Sequence, residues 1–149
     1  MILNTKHFGE IEIDQEKIII FKDGLLGFEN IKKYSVVLNQ EKDIPFSWLQ
    51  GVDDTNLAFV ITNPFAFKND YNFEIPENVI KQLEIEKEED VMVFSIAVIP
   101  KDMKKTTINL RGPLVINIRN KKGKQIVLDT DQYPLKYFIF EEKIEENIG

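Results

Sequence analysis

Short apolar runs separated by turn residues recur along the chain. They are rich in β-branched and aromatic residues and are too short for helices that bury one face, so the pattern predicts strands. The predicted strands are KIIIF (17–21), YSVVL (34–38), LAFVI (57–61), VMVFSIAVI (91–99), LVINI (114–118), QIVLD (125–129) and YFIF (137–140). The run 91–99 has apolar residues at odd and even positions, and we expect it to be covered on both faces.

Two turn signals predict antiparallel hairpins. The segment HFGE (7–10) is expected to reverse MILNT onto EIEID, and NKKGK (120–124) is expected to reverse LVINI onto QIVLD. Each turn contains a glycine, which adopts a positive φ without steric cost. These pairings favour an antiparallel sheet.

One segment, IPENVIKQLEIE (75–86), predicts a helix. Pro76 is tolerated in a first helical turn, and Val79, Ile80 and Leu83 share one face. No other segment combines helical periodicity with a start signal of this kind.

The fold class follows from the many strands and the lack of strand–helix–strand alternation. The chain predicts one mostly β domain over 1–149, either an antiparallel β barrel or a strongly curved sandwich, with one or two short helices. Both architectures leave few exposed strand edges. The last residues, EEKIEENIG (141–149), are expected to form a frayed acidic tail.

The segment DGLLGFENIKKY (23–34) places large apolar side chains in what resembles a turn. The two glycines allow a tight reversal after KIIIF, and the side chains of Leu25, Leu26 and Phe28 are expected to fold inward and plug one end of a small barrel.

Composition narrows the possible chemistry. The chain has no cysteine, which excludes disulfides, thiolate catalysis, iron–sulfur ligation and the common zinc sites, and its one histidine, His7, lies in a predicted turn. No apolar run approaches the ~18 residues of a membrane span, and the amino terminus does not resemble a signal peptide, so we expect a cytoplasmic protein with no membrane partner. The net charge of −6 disfavours direct binding to nucleic acid.

Paired carboxylates give the best candidate for an enzyme. Asp53 and Asp54 in GVDDTN (51–56) would suit a small metal-dependent hydrolase, which needs such a pair to hold a metal ion or to divide acid and base roles. The same string is also typical of a turn that bonds its own backbone. Phosphate-loop, dinucleotide, elbow-serine and zincin motifs are missing from the sequence, and we expect no cofactor.

Aromatic segments raise the question of an RNA-binding barrel. The segments are PFSWL (45–49) and NPFAFKNDYNF (63–73), and Lys68 is the only cation in either. An oligonucleotide-binding surface needs aromatic residues interleaved with several cations, so the fit is poor. In the second segment the run Phe65, Phe67, Tyr71 and Phe73 follows a proline and is expected to be partly exposed as a protein-binding surface, with Phe65, Phe67 and Tyr71 as the partner-binding residues.

Five strings, read in order, resemble the flagellar assembly factor FliW family. Together they span nearly the whole chain, and their joint occurrence is more specific than any one string. The strings are FKDGLLGFE (21–29), PFSWLQGVDD (45–54), LAFVITNP (57–64), NLRGPLVIN (109–117) and GKQIVL (123–128).

The resemblance implies a non-enzymatic cytoplasmic protein with two alternative protein partners. One is flagellin, bound before export, and the other is the translational regulator CsrA. Free of flagellin, such a factor keeps CsrA away from flagellin messenger RNA; accumulated flagellin captures the factor, and flagellin translation then falls.

The residues agree with the resemblance at two points. An acidic protein docked beside an RNA-binding surface repels phosphate. The carboxylates of EIEKEED (84–90), Asp53 and Asp54 are therefore candidates for this repulsion. An apolar groove that holds an amphipathic helix needs exposed aromatic or leucine side chains. The string 21–29 contains such side chains. If they do not plug the barrel end, they are expected to anchor a partner, and the partner-binding residues of this string are then Leu25, Leu26, Phe28 and Glu29.

Overall fold

The structure is a computed structural model that describes residues 1–41 and 44–140. The predicted acidic tail at 141–149 lies outside the described residues. Within the described ranges the chain forms eleven β-strands, one α-helix and four short 3-10 helices.

The strands and the helix follow one another with short connections. The strands are β1 (Ile2–Thr5), β2 (Gly9–Glu12), β3 (Ile19–Phe21), β4 (Lys33–Val37), β5 (Phe46–Gly51), β6 (Ala58–Thr62), β7 (Val91–Val98), β8 (Thr107–Ile108), β9 (Leu114–Asn117), β10 (Lys122–Gln125) and β11 (Tyr137–Phe138). The helix α1 is Glu77–Gln82, and the 3-10 helices are Gln15–Lys17, Pro64–Ala66, Glu88–Asp90 and Met103–Lys105.

Seven strands close into a barrel, so the barrel is the correct one of the two predicted architectures. The strand order is β7-β6-β5-β4-β3-β10-β9, and β9 pairs back with the first half of β7. The pairing of β3 with β10 is parallel, and the other barrel pairings are antiparallel. β8 and β11 extend the sheet beyond the second half of β7, and β1 and β2 form a separate hairpin.

The barrel interior is the main core. Large side chains from alternate strand positions fill it, and the ones with no exposed surface include Phe21, Tyr34, Leu49, Ile61 and Leu114. Burying one such side chain stabilises the fold by roughly 1.5–3 kcal/mol. Outside the barrel, α1 packs Val79 and Leu83 against Val115 and Ile126, as the predicted helical face requires.

The helix is shorter than predicted at both ends. Pro76 is the N-cap and lies just outside the first turn, and the helix ends at Gln82 rather than at residue 86. Glu84 has a φ of 55°, and the amides of Glu84 and Ile85 bond back to Lys81 and Ile80. This Schellman pattern ends the helix without a glycine, which is why the sequence does not reveal the end point.

The first predicted hairpin is present, but the second differs from the prediction in its turn and in its partner strand. β9 pairs with Lys122–Gln125, and the predicted strand QIVLD (125–129) is not a strand beyond Gln125. Gly9, with a φ of 67°, reverses β1 onto β2 as predicted. Between β9 and β10 the positive φ of 63° belongs to Lys121, and Gly123 lies within β10. A Cβ at Gly123 would lie 2.7 Å from Phe21 Cε1, so the packing of that ring, not the turn, requires glycine here.

Two predictions for the barrel strands need correction. The aromatic segment 45–49 is not among the predicted strands, yet Phe46–Gly51 is the strand between β4 and β6. The strand β7 is covered on both faces only in its middle, because Met92 and Val98, near its two ends, are 44% and 60% exposed. Hydrophobicity along the run does not show where the barrel ends.

Candidate functional site

One end of the barrel is closed by the segment 23–32, which we call the plug. Leu25 is 1% exposed and belongs to the same buried cluster as Phe21 and Tyr34. Gly24 and Gly27 have φ values of 68° and 85°, and the amide of Phe28 donates to the Leu25 carbonyl at 2.8 Å. The predicted inward plug is therefore correct for Leu25.

Leu26 and Phe28 point differently and remain at the surface. Leu26 is 60% exposed, and its amide donates to Gln125 Oε1 at 2.9 Å. Phe28 is 41% exposed and stands edge-on to Phe59, with 5.1 Å between the ring centroids. The plug thus buries one of its three large apolar side chains and presents the other two to solvent.

The backbone of the plug is folded tightly on itself. A Cβ at Gly24 would lie 2.6 Å from the Cα of Glu29, so only glycine fits at that close approach. The side chain of Glu29 is exposed, and the backbone carbonyl of Glu29 accepts a hydrogen bond from Lys32 Nζ at 2.5 Å. Leu26, Phe28 and Glu29 are therefore held on a preorganised loop, which lowers the entropic cost of a contact there.

Asp53 and Asp54 support turns. Asp53 Oδ2 accepts from the amides of Lys32 and Lys33, each at 3.2 Å, and so ties the plug to the turn after β5. Asp54 Oδ1 accepts from the Asn56 amide at 3.0 Å. In the described ranges no group of three or more His, Cys, Asp or Glu side chains is placed to hold a metal ion. The geometry gives the hydrolase alternative no support.

The hydroxyl of Tyr34 lies in the buried interior below the plug. Burial raises the pKa of its hydroxyl to about 12, and the nearby charges of Asp53 and Asp54 act in the same direction. The hydroxyl has no hydrogen-bond partner among the described residues. The interior at this end therefore disfavours the charged phenolate.

The other end of the barrel opens into a cleft of about 1080 Å³, which we call the mouth. Val36 and Phe94 line it from the barrel interior and are half-buried. Leu38, Met92 and Phe65 also line it and are 73%, 44% and 39% exposed. Three large apolar side chains therefore share one concave surface.

Polar groups surround this apolar floor. Glu12 and Asp14 line the mouth from the β1–β2 hairpin side, and among the described residues Lys17 is the only basic residue of the lining. Asn63 also lines it, with its side-chain oxygen accepting from the Phe65 amide at 3.0 Å. The mouth thus combines an apolar floor with a mainly acidic rim.

The aromatic segment 63–73 does not form one surface. Phe65 lies at the mouth, whereas Phe67 is half-buried and stacks on Phe46 with 6.1 Å between centroids. Tyr71 is 3% exposed, and its hydroxyl donates to the Leu110 carbonyl at 2.6 Å. Tyr71 is a core residue in this structure, and its side chain is not presented to a partner.

Part of the acidic run 84–90 is neutralised within the chain. Lys122 Nζ lies 2.7 Å from Glu84 Oε2, a contact that also holds the pKa of Glu84 below its usual value. Arg119 lies within 4 Å of Glu86 and Asp90, at 3.6 and 3.5 Å. Among the described residues no salt bridge is made by the two remaining carboxylates of the run, Glu88 and Glu89.

The predicted partner-binding residues therefore divide among three places. At the plugged end lie Leu25, Leu26, Phe28, Glu29, Asp53 and Asp54, while Phe65 lies at the mouth and Phe67 and Tyr71 belong to a second buried cluster. Sequence reasoning missed Leu38 and Met92. The one available signal is that Leu38 ends an apolar run and Met92 is the second residue of another, each close to charged or polar residues.

No helix within 1–41 and 44–140 is long and apolar enough to cross a membrane.

Comparison with known proteins gives a consistent result over the whole described fold. The family model described as FliW protein matches residues 2–139. The flagellar assembly factor FliW of Alkaliphilus metalliredigens is 56% identical over 142 residues, covering 95% of this chain and 88% of the relative. That of Caldicellulosiruptor saccharolyticus is 47% identical over 140 residues, covering 94% of this chain and 91% of the relative.

A solved structure agrees with the sequence relatives. A crystal structure of the flagellar assembly factor FliW superposes with a TM-score of 0.86 at 33% identity, covering 94% of this chain and 97% of that one. The closed barrel, the family match and the relatives point the same way. The chain belongs to the FliW family of flagellar assembly factors.

Proposed function

We propose that the protein is a non-enzymatic cytoplasmic regulator of flagellum assembly that switches between two protein partners. It binds flagellin before export and, when free of flagellin, binds a CsrA-type translational regulator and keeps it from repressing flagellin messenger RNA. Accumulated flagellin captures the protein, releases the regulator and lowers flagellin translation. The observation that carries the proposal is the exposed apolar mouth of the barrel in a member of this family.

The geometry favours binding over chemistry. A monomer that exposes large apolar side chains on one concave surface usually uses that surface for association. The mouth does so with Leu38, Met92 and Phe65, and the preorganised plug adds Leu26 and Phe28 at the other end. By contrast, the best candidate carboxylates, Asp53 and Asp54, are engaged in hydrogen bonds to backbone amides.

The net charge of −6 supports the antagonism of RNA binding. A protein of this charge that docks beside an RNA-binding surface repels the phosphate backbone, and it can do so without covering the RNA site. Direct RNA binding by the barrel is disfavoured by the same charge.

Calorimetric titration against flagellin and a CsrA-type regulator, taken from a single flagellated bacterium, tests the proposal. We expect each protein to bind alone, and we expect prebound flagellin to weaken binding of the regulator by about 5–150-fold, the usual range of coupling between two ligands. A protein that binds neither partner would overturn the proposal.

Substitutions that spare the fold separate binding from nonspecific adhesion. Leu26→Ser, Met92→Ser and Val98→Ser each remove an exposed apolar side chain, and Val98 lies outside both the plug and the mouth. Loss of partner binding in Leu26→Ser or Met92→Ser, with wild-type binding in Val98→Ser, is the expected pattern. Equal effects of all three would mean that binding does not depend on these two surfaces.

A further inference from the structure

We propose that the protein associates reversibly with an anionic membrane surface through the segment 99–106, which joins β7 to β8 and which we call the tip. The proposal goes beyond the proposed function, because it concerns neither flagellin nor the regulator and uses a surface separate from the mouth. The predicted absence of a membrane partner rests on the lack of a spanning run, which contact with a membrane surface does not require.

The tip lies where the sheet extends beyond the barrel. Ala97, Ile108 and Tyr137 lie opposite one another on β7, β8 and β11, and they pack in or against the second buried cluster. Side chains alternate between the two faces of a strand, so Val98 and Phe138 lie on the other face. They are 60% and 40% exposed. This face therefore presents two large apolar side chains to solvent, beside the tip.

The tip itself protrudes and carries an apolar side chain. Residues 101–105 are all exposed, and Met103 is 62% exposed. The turn is fixed locally, because Asp102 Oδ1 accepts from the Lys104 amide at 3.2 Å and Thr106 Oγ1 donates to the Met103 carbonyl at 2.7 Å. A preorganised, protruding methionine can enter the boundary between lipid headgroups and acyl chains at little entropic cost.

Lysines accompany these apolar side chains. Lys101, Lys104 and Lys105 belong to the tip, Lys136 directly precedes β11, and all four are exposed. Among the described residues none of the four makes a salt bridge. The one carboxylate of the tip, Asp102, caps its turn. Exposed lysines next to exposed apolar side chains are the combination that binds an anionic lipid surface.

The net charge of −6 does not oppose this contact, because the acidic rim of the mouth is far from the tip. Met92 at the mouth and Val98 beside the tip are six residues apart on β7, a distance of ~20 Å at about 3.3 Å per residue. The Debye length at physiological salt is only about 8 Å. Repulsion of the rim therefore orients the barrel with its mouth away from the membrane.

Two other occupants fit the tip less well. A second copy of the chain would bring two sets of lysines together. An acidic protein segment that added a strand to β11 would gain a short ladder, since β11 is only Tyr137–Phe138. A membrane surface needs neither a ladder nor a cleft.

Sedimentation of the full chain with lipid vesicles tests the proposal. The probes are vesicles of phosphatidylcholine alone and vesicles of phosphatidylcholine mixed with phosphatidylglycerol. We expect the mixed vesicles to bind at least about tenfold more tightly, because each lysine close to an anionic surface contributes about fivefold. Binding is expected to be lost near 1 M salt, where the Debye length falls to about 3 Å.

Matched variants locate the contact. Lys104→Gln with Lys105→Gln is expected to weaken binding to mixed vesicles about 25-fold, whereas Lys81→Gln with Lys87→Gln, two exposed lysines elsewhere, is expected to leave it unchanged. Met103→Ser is expected to weaken it about tenfold. Thermal unfolding of each variant checks that the barrel is folded.

A second methionine separates this proposal from the proposed function. Met92→Ser, at the mouth, is expected to bind mixed vesicles like the wild type and to lose a protein partner. Met103→Ser is expected to do the reverse. If vesicles do not bind while flagellin and the regulator do, the membrane contact fails and the proposed function stands. If vesicles bind while neither protein does, the proposed function fails instead.

Three further outcomes overturn the membrane contact. The first is equal binding of neutral and mixed vesicles, and the second is wild-type binding in the Lys104→Gln, Lys105→Gln variant. The third is failure of mixed vesicles to bind. If a polyglutamate peptide then binds, the tip belongs to an acidic protein partner. If the lysine variant instead unfolds at a lower temperature at low salt, the lysines pair with carboxylates of the chain itself, such as the four glutamates of 141–149.

Discussion

Leu25 and Leu26 are adjacent in sequence, yet they face opposite environments. Leu25 is 1% exposed inside the barrel end, and Leu26 is 60% exposed. Truncation of a buried leucine loses transfer free energy and leaves a cavity, so we expect Leu25→Ala to lower the free energy of unfolding by about 2–5 kcal/mol. Leu26→Ala is expected to change it by no more than about 0.5 kcal/mol. Urea denaturation of the two variants measures the difference, and equal midpoints would contradict the plug.

Two buried tyrosines differ in what their hydroxyls contact. Tyr71 donates to the Leu110 carbonyl at 2.6 Å, whereas the Tyr34 hydroxyl has no partner among the described residues. Tyr71→Phe is therefore expected to cost about 0.5–1.5 kcal/mol of stability at neutral pH. Tyr34→Phe is expected to be close to neutral, because it removes no hydrogen bond. Denaturation at neutral pH compares them, and a larger loss in Tyr34→Phe would show that its hydroxyl is bonded.

Tyr34 also makes the stability of the fold sensitive to alkaline pH. Burial raises the pKa of Tyr34 to about 12, while an unfolded tyrosine ionises near its ordinary value of 10. Between these two values the unfolded chain releases the phenol proton and the folded protein does not. The contribution of Tyr34 to the free energy of unfolding is therefore complete below pH 10 and falls by about 1.4 kcal/mol per pH unit as the pH rises towards 12. We expect Tyr34→Phe to lose less stability than the wild type over this window, measured by denaturation at several alkaline pH values. Parallel losses in the two proteins would remove Tyr34 as the cause.

At the scale of elements, the end of α1 depends on a residue under backbone strain. Glu84 has a φ of 55°, a conformation that costs a residue with a Cβ roughly 1–2 kcal/mol, and Lys122 holds its carboxylate. Glu84→Ala keeps the strained backbone and loses the ion pair, whereas Glu84→Gly loses the ion pair and relieves the strain. We expect the glycine variant to be the more stable of the two in thermal unfolding. The reverse order would mean that the turn tolerates a Cβ without strain.

At acidic pH we expect Glu84 to stabilise the fold less than it does at neutral pH. Hydrogen bonding from Lys122 lowers the pKa of Glu84. The charged Glu84 side chain therefore stabilises the folded state above the ordinary pKa range of a carboxyl group, and this stabilisation is lost as the pH falls through the lowered pKa. The stability difference between the wild type and Glu84→Gln is expected to shrink on acidification. Thermal unfolding at neutral and acidic pH measures it.

Sequence patterns predicted the elements better than their ends. Turn chemistry predicts the β1–β2 hairpin and a hairpin after β9 correctly, because both are local, but it predicts the second partner strand at 125–129 instead of Lys122–Gln125. It placed the second turn at Gly123 because glycine is the usual residue with positive φ, while tertiary packing against Phe21 is what requires a glycine there. The strand Phe46–Gly51 is missed because apolar and polar residues do not alternate along it: Phe46 and Trp48 share one face with Gln50, and Leu49 shares the other with Ser47.

At the scale of the whole molecule, the candidate site is a property of barrel closure. The plug could be anticipated because glycines and apolar residues are adjacent in one string. The mouth could not, since Leu38, Phe65 and Met92 come from three distant segments that only the strand order brings together. Separation of the two ends by the filled barrel leaves two distinct exposed surfaces for association.

The net charge of −6 leads to a prediction about salt. If the protein opposes RNA binding by repulsion, each of its charges about 10 Å from a phosphate contributes roughly 0.4 kcal/mol in water, so a few such charges weaken RNA binding about tenfold. Near 1 M salt the Debye length falls to about 3 Å, and this repulsion is almost fully screened. RNA affinity of a CsrA-type regulator, measured by anisotropy with and without saturating protein, gives the ratio at each salt concentration. We expect the ratio to fall from about tenfold at low salt towards unity at high salt, with size-exclusion chromatography confirming that the protein complex persists. A ratio that does not change with salt would mean that the protein acts by covering or reshaping the RNA site.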